Sequence, residues 1–163
     1  LDLLQNFLAF NLMTIELRAF DETMLSLTSR WLSDPELRLL TQSPSIDREQ
    51  QMAWFKGLEA RKDYAIWTVV EAGTAIGVMG FKHIDQDSAE YFGYIGEQLW
   101  RGRGLGKQLM DSAFAIAAAR GWRTISLHVL ADNFIAVNLY FDKGFRIVSA
   151  SDGIFYMTKQ IAG

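Results

Sequence analysis

The chain contains no cysteine, which removes disulfides, thiolate metal sites and a cysteine nucleophile together. Histidine is scarce as well. His83 and His128 are the only two and lie far apart in sequence, so a metal site is not expected. The lack of cysteine fits a reducing compartment, and a cytoplasmic protein is the expectation. Neither sign of charge dominates. The formal net charge is −3, with 21% charged residues of mixed sign, which leaves no polybasic tail and no general attraction to nucleic acid. Long apolar runs are missing too. The first twelve residues, LDLLQNFLAFNL, set Leu1, Leu4, Leu8 and Leu12 at helical spacing with Phe7 beside them. That stretch is too short to cross a bilayer, and no Lys or Arg precedes it as in a secretion signal. We read residues 1–12 as an N-terminal extension, an upstream or appended segment ahead of Met13. Its apolar face would suit a homodimer contact.

Half of the 163 residues are hydrophobic, enough for one well-filled core. Residues 13–163 read as a single domain, with no internal repeat, linker or low-complexity tract. Thr14 to Ala19 alternates as a strand does. From Glu22 to Leu40 the apolar residues recur at helical spacing, broken at Asp34-Pro35, where two short helices should meet. Asp47 should cap a further helix that buries Met52, Phe55 and Leu58. Tyr64 to Val70, Ala75 to Ile84 and Ala89 to Gly96 read as strands joined by tight turns at Ala72-Gly73 and Asp85 to Ser88. A long helix follows to about Arg120, with Leu105, Leu109, Ala113 and Ile116 as its buried stripe. Thr124 to Leu130 is a strand. A helix capped by Asp132 or Asn133 ends at Lys143-Gly144, and Phe145 to Val148 and Ile154 to Thr158 are final strands. The fold class is α/β (α+β), a mixed and mostly antiparallel sheet of about six or seven strands flanked by helices.

The segment Arg101-Gly102-Arg103-Gly104-Leu105-Gly106-Lys107 follows a strand and opens a helix. Three positions without side chains let the backbone approach a ligand closely. Converging N–H groups and the positive end of the helix then favour a diphosphate, and Arg101, Arg103 and Lys107 add cations. A Walker A loop is excluded, because Arg101 stands where its first glycine belongs and Gln108 where its Ser or Thr belongs. The dinucleotide fingerprint is excluded by Lys107 in place of its third glycine and by three hairpin strands ahead of the loop. A plain strand-to-helix turn stays open on the glycines alone.

The remaining pattern, Arg101-x-x-Gly104-x-Gly106, resembles the pyrophosphate loop of the GNAT superfamily of acetyltransferases. A second stretch, Asn133-Phe-Ile-Ala136-Val-Asn138-Leu139-Tyr140-Phe-Asp-Lys143-Gly144-Phe145, is similar to the C-terminal motif of that family. The two lie in the right order, thirty-two residues apart, and the resemblance runs from Met13 to Thr158. It implies an acetyl-CoA-dependent N-acetyltransferase without a metal, in which the amine attacks the thioester directly in a ternary complex. It implies that the loop from Arg101 to Lys107 holds the pyrophosphate. It further implies that the backbone of Tyr94, Ile95 and Gly96 takes the pantetheine arm as an added strand, with Asn133 and Asn138 also at the cofactor. Tyr140 matches the family's general acid, against the plainer reading of a core tyrosine.

Two residues match family bases. Glu90 lies eleven residues before Arg101, where some histone-type members carry a glutamate. His128 lies five before Asn133, where members resembling ribosomal-protein acetyltransferases often have glutamate, and histidine titrates near neutrality. An ordered water chain would serve in place of either. His83 is expected at a strand end without a role. For the acceptor, the run from Trp31 through Asp34-Pro35-Glu36 to Arg38, with Trp54-Phe55, resembles two groups. One acts on nucleotide-linked amino sugars and the other on protein N-termini, and the pattern leans to the sugars. Polyamines and aminoglycosides stay open, the partner being a small-molecule or peptide amine. Trp31 and Trp54 also read as core residues. The alternatives from other classes are a non-catalytic acyl-CoA-binding regulatory module and a purely structural interaction domain.

Overall fold

A computed structural model of the chain describes residues 13–161. The helix expected at residues 1–12, and the homodimer contact resting on it, lie outside the described residues. In chain order the elements are β1 (Ile15–Ala19), α1 (Met24–Leu32), α2 (Pro35–Leu40), α3 (Arg48–Gly57), β2 (Ala65–Glu71), β3 (Thr74–Lys82), β4 (Ser88–Ile95), α4 (Leu105–Arg120), β5 (Thr124–Leu130), α5 (Phe134–Asp142), β6 (Arg146–Ser151) and β7 (Ile154–Gln160). The expected mixed sheet forms, with seven strands in the order β1-β2-β3-β4-β5-β7-β6. Every neighbouring pair is antiparallel except β4 and β5.

That parallel pair is short. Ser88 to Glu90 pair with Thr124 to Ser126, yet β4 continues to Ile95 and β5 to Leu130. Beyond Glu90 the two strands part and leave a wedge through the middle of the sheet. One face of the sheet is covered by α4 and α5. There Val69, Met79, Phe81, Tyr91, Ile125, Leu127 and Met157 meet Leu105, Leu109, Met110, Ala113 and Val137 in the main core. The opposite face is covered over part of its width by the N-terminal helices, where Met24, Trp31 and Leu37 pack on Val78 beside Ile66 and Tyr94. Gln108 on α4 pins the outer strand: its Oε1 accepts from Ile15 N–H at 3.0 Å, and its Nε2 donates to the Met13 carbonyl at 2.8 Å.

The break at Asp34-Pro35 is where expected. Asp34 caps α2 by accepting from Glu36 N–H at 3.0 Å, and Pro35 opens the helix. Asp47 and Gln50 form a reciprocal capping box on α3. Three expectations are corrected. Met52, Phe55 and Leu58 are only half-buried, and the buried residue of α3 is Gln51. Its Nε2 donates to the Leu25 carbonyl (2.9 Å) and Thr28 Oγ1 (3.1 Å), and its Oε1 accepts from Ser29 Oγ at 2.9 Å. Polar groups that satisfy one another bury without penalty, which an apolar periodicity does not register. On α4, Met110 and Ala117 are fully buried while Ile116 is only half-buried. Finally, β6 begins at Arg146, because Gly144 turns the chain at φ +92° and Phe145 is drawn wholly into the core. No helix among the described residues is long and apolar enough to cross a membrane, and no group of three candidate ligands among them is placed to hold a metal ion.

Candidate active site

Strand pleating decides which backbone groups face the wedge. Gly96 N–H donates to the Ile76 carbonyl at 2.8 Å. In the β3–β4 register this turns Tyr94 and Gly96 toward β3, and turns Tyr91, Gly93 and Ile95 toward the β5 side. Of the three backbone positions expected to take an extended ligand, only Ile95 therefore opens on the gap, and Gly93 joins it. The Tyr94 side chain lies on the opposite face, edge-on to Trp31 at 6.3 Å. Gly93 also has no room for a side chain, since a Cβ there would collide with the Tyr91 hydroxyl.

At the wide end of the wedge the chain turns through residues 101–104 into α4. Gly102 (φ +72°) and Gly104 (φ +76°) are left-handed, a conformation costly to other residues. Among the described residues, the backbone N–H groups of Gly102 through Gly106 have no backbone acceptor. They cluster at the N-terminus of a sixteen-residue helix, a ready anion site. Arg103 and Lys107 have no carboxylate partner among the described residues and supply cations there. Leu105 is buried, so it offers only its N–H.

Arg101 is the exception to the expected set of cations. Its Nε donates to the Ile95 carbonyl (3.0 Å), one terminal nitrogen to the Gly96 carbonyl (2.8 Å), and the other reaches Asp34 Oδ2 at 3.3 Å. The side chain thus folds back to tie the end of β4 to the cap of α2. This guanidinium hydrogen bond holds the Asp34 carboxyl below its usual range. Arg30 and Trp31 make a second tie from α1 to Glu97.

On α5, Asn133 Oδ1 accepts from Ala136 N–H at 3.4 Å, so Asn133 caps the helix, while Asn138 is exposed. Tyr140 turns into the core face of the wedge, its ring 5.7 Å from Phe145. Burial pushes its hydroxyl up to about 12, so it stays protonated at neutral pH. Tyr91, which the sequence did not single out, sits beside it on β4. Burial first, and then the Tyr140 phenol, push Tyr91 well above the ordinary tyrosine range. Neither hydroxyl has a hydrogen-bond partner among the described residues. The alternation of buried residues along β4 was the available signal for Tyr91, but alternation alone reads it as core.

The two base candidates meet. Glu90 is buried at 7% exposure, and His128 Nδ1 lies 2.7 Å from its Oε1. Lys82 Nζ stands 3.5 Å from Oε1 and His83 Nε2 3.6 Å from Oε2. His83, expected to be idle at the end of β3, has φ +51° and joins this cluster. The cluster sits where β4 and β5 separate, on the face opposite α4. The adjoining surface is aromatic and cationic. The Tyr64 and Phe92 rings lie 5.4 Å apart and inclined by 30°, Trp54 meets Tyr64 edge-on at 6.0 Å, and the Arg61 guanidinium, paired with Asp63, lies 4.7 Å over the Tyr64 ring. His128 stacks on Tyr156 at 4.9 Å. Trp31 is buried, as read from sequence, and Trp54 is half-buried.

Comparison with known proteins shows the family and agrees with the fold. The model of the Acetyltransferase (GNAT) family matches residues 25–145. Acetyltransferase PseH of Campylobacter jejuni is 25% identical over 137 residues, covering 82% of this chain and 83% of its own. The crystal structure of C. jejuni N-acetyltransferase PseH in complex with acetyl coenzyme A superposes with a TM-score of 0.73 at 19% identity, covering 91% of this chain and 100% of that one. A spermidine N-acetyltransferase from Vibrio cholerae, in complex with CoA and spermine, gives 0.80 at 19% identity, covering 90% and 95%. At such identities the structural likeness speaks for the fold.

Proposed function

Because the chain belongs to the GNAT family and is an N-acetyltransferase that uses acetyl-CoA, we propose that it acetylates the primary amine of a nucleotide-linked amino sugar by direct attack in a ternary complex. The observation that carries this reading is the wedge itself. It passes through the sheet, with the protonated Tyr140 on one face and the Glu90–His128 pair on the other. An acceptor amine approaching from the open face meets the pair, and the departing sulfur meets Tyr140.

Bound acetyl-CoA supplies an activated acyl thioester. The residues fit it: Gly93 and the Ile95 N–H offer an unpaired strand edge to an extended amide chain, and the N–H groups of Gly102 through Gly106, with Arg103 and Lys107, receive its diphosphate. Arg101 holds the end of β4 in shape and contributes through position. The Glu90–His128 pair removes the proton that the attacking nitrogen must lose, and Tyr140 protonates the leaving thiolate. Holding both partners at one point converts the transfer into an intramolecular step.

The acceptor surface supports the nucleotide-linked class. Tyr64 and Phe92, inclined by 30°, offer aromatic surface for a base or sugar, and Lys82 and His83 favour phosphate oxygens, while Arg61 is paired with Asp63 at 2.8 Å. A polyamine would be better served by an acidic lining, whereas Glu90 is already surrounded by cations and donors. The test is thiol release from acetyl-CoA with a panel holding a nucleotide-linked amino sugar, an N-terminal peptide, a polyamine and an aminoglycoside. Selective turnover of the sugar nucleotide is expected. Turnover of another class alone would overturn the acceptor assignment, and acetyl-CoA binding without turnover of any amine would favour a regulatory module.

A further inference from the structure

The Glu90–His128 pair is unequal, and the inequality assigns its roles. Glu90 is nearly sealed, and both of its oxygens are engaged: Oε1 by His128 Nδ1 at 2.7 Å and Lys82 Nζ at 3.5 Å, Oε2 by His83 Nε2 at 3.6 Å. His128 is open, with a side-chain exposure of 44% against 9% for Glu90. Its other ring nitrogen, Nε2, has no partner among the described residues. A base must reach the proton it removes; of the hydrogen-bonded pair His128 is the open member, whereas the more exposed His83 stands 3.6 Å from Glu90 Oε2, beyond hydrogen-bond reach of the carboxylate.

We propose that His128 Nε2 is the base and that Glu90 is the positioning residue that makes it one. This deepens the acetyltransferase reading above and rests on it. A carboxylate that accepts from Nδ1 requires the proton to sit on Nδ1, which leaves the Nε2 lone pair directed outward. The stacked Tyr156 ring, 4.9 Å away and inclined by 35°, holds the imidazole plane from the β7 side. The titratable groups facing the pair are Lys82 and His83 from β3 and Tyr156 from β7, with Ser126 as the polar neighbour on β5. As the N–C bond forms and the C–S bond breaks, the nitrogen's proton passes to His128 Nε2. The resulting imidazolium is paired with Glu90. Sulfur takes the proton of Tyr140, and solvent returns one proton from His128 to Tyr140, so the cycle closes.

Two histidines in the whole chain make the assignment accessible to NMR. In long-range ¹H–¹⁵N spectra of the full chain at alkaline pH, His128 should show a protonated Nδ1 and an unprotonated Nε2. Glu90→Gln should weaken that tautomer preference. In kcat/KM profiles, His128→Gln should abolish the acidic limb and lower the rate roughly 10²- to 10⁴-fold. Glu90→Gln should lower the rate less and keep the limb, because His128 Nε2 is still there to take the proton. Glu90→Gln abolishing the limb while His128→Gln keeps it would make Glu90 the base and overturn the proposal. A wild-type His128 protonated on Nε2 would overturn it as well. The tautomer is read without turnover, so it tests the pair even if every amine in the panel fails.

Discussion

In the proposed reaction single side chains carry the chemistry, and their protonation is set by what surrounds them. Burial keeps the Tyr140 proton in place at neutral pH, as the proposed acid requires. Tyr140→Phe removes one oxygen and little packing. It should lower kcat on the order of 10²-fold with acetyl-CoA affinity unchanged, read by steady-state kinetics beside calorimetric titration. Gly93 is the matching backbone position. Gly93→Val sets a side chain against the Tyr91 hydroxyl and across the open strand edge. Acetyl-CoA affinity should fall at least about tenfold, some 1.4 kcal/mol, with the far-ultraviolet circular dichroism unchanged.

Elements matter here through the way their ends are finished. The glycine loop proposed to hold the diphosphate keeps its shape because two glycines accept left-handed backbone angles and Arg101 braces the strand before it. Gly104→Ala places a side chain at φ +76° and should cost about 1 kcal/mol of stability, visible as a lower Tm, with acetyl-CoA bound more weakly. Asp34 does two jobs, capping α2 and receiving Arg101. Asp34→Ala should lower Tm through the lost cap. It should also raise KM for acetyl-CoA, because the guanidinium then braces β4 from one side only.

Across the whole molecule, the tyrosines set the alkaline limit of stability. Tyr64 and Tyr140 are pushed up to about 12 by burial, and Tyr91 and Tyr94 are raised in the same direction. A group whose proton is held more tightly in the folded chain stabilises fully below its unfolded value, near 10. That stabilisation is lost as pH climbs through the folded value. Urea unfolding should therefore show no tyrosine-dependent loss from neutrality to about pH 10 and a steep decline above it. Tyr140 alone would contribute on the order of 2–3 kcal/mol, and Tyr140→Phe should flatten part of that decline.

Sequence alone determined the local features, because each depends on a few neighbouring residues. The helix break at Asp34-Pro35, the Asp47 cap, the hairpin turn at Ala72-Gly73, the glycine loop ahead of α4 and the end of α5 at Gly144 all rest on backbone chemistry within a turn. The family likeness was legible for the same reason, as two short motifs at a fixed interval. Tertiary structure decided what depends on register between distant strands. The parting of β4 from β5 after Glu90 selects Gly93 and Ile95 as the open edge and turns Tyr94 and Gly96 away. Pairing of Glu90 with Ser126 brings His128 onto Glu90 across thirty-eight residues of chain, so two rival base candidates become one hydrogen-bonded unit. Arg101 likewise turns from the glycine loop to Ile95, Gly96 and Asp34, because a carbonyl or a nearby carboxylate satisfies a guanidinium whenever the fold brings one within reach.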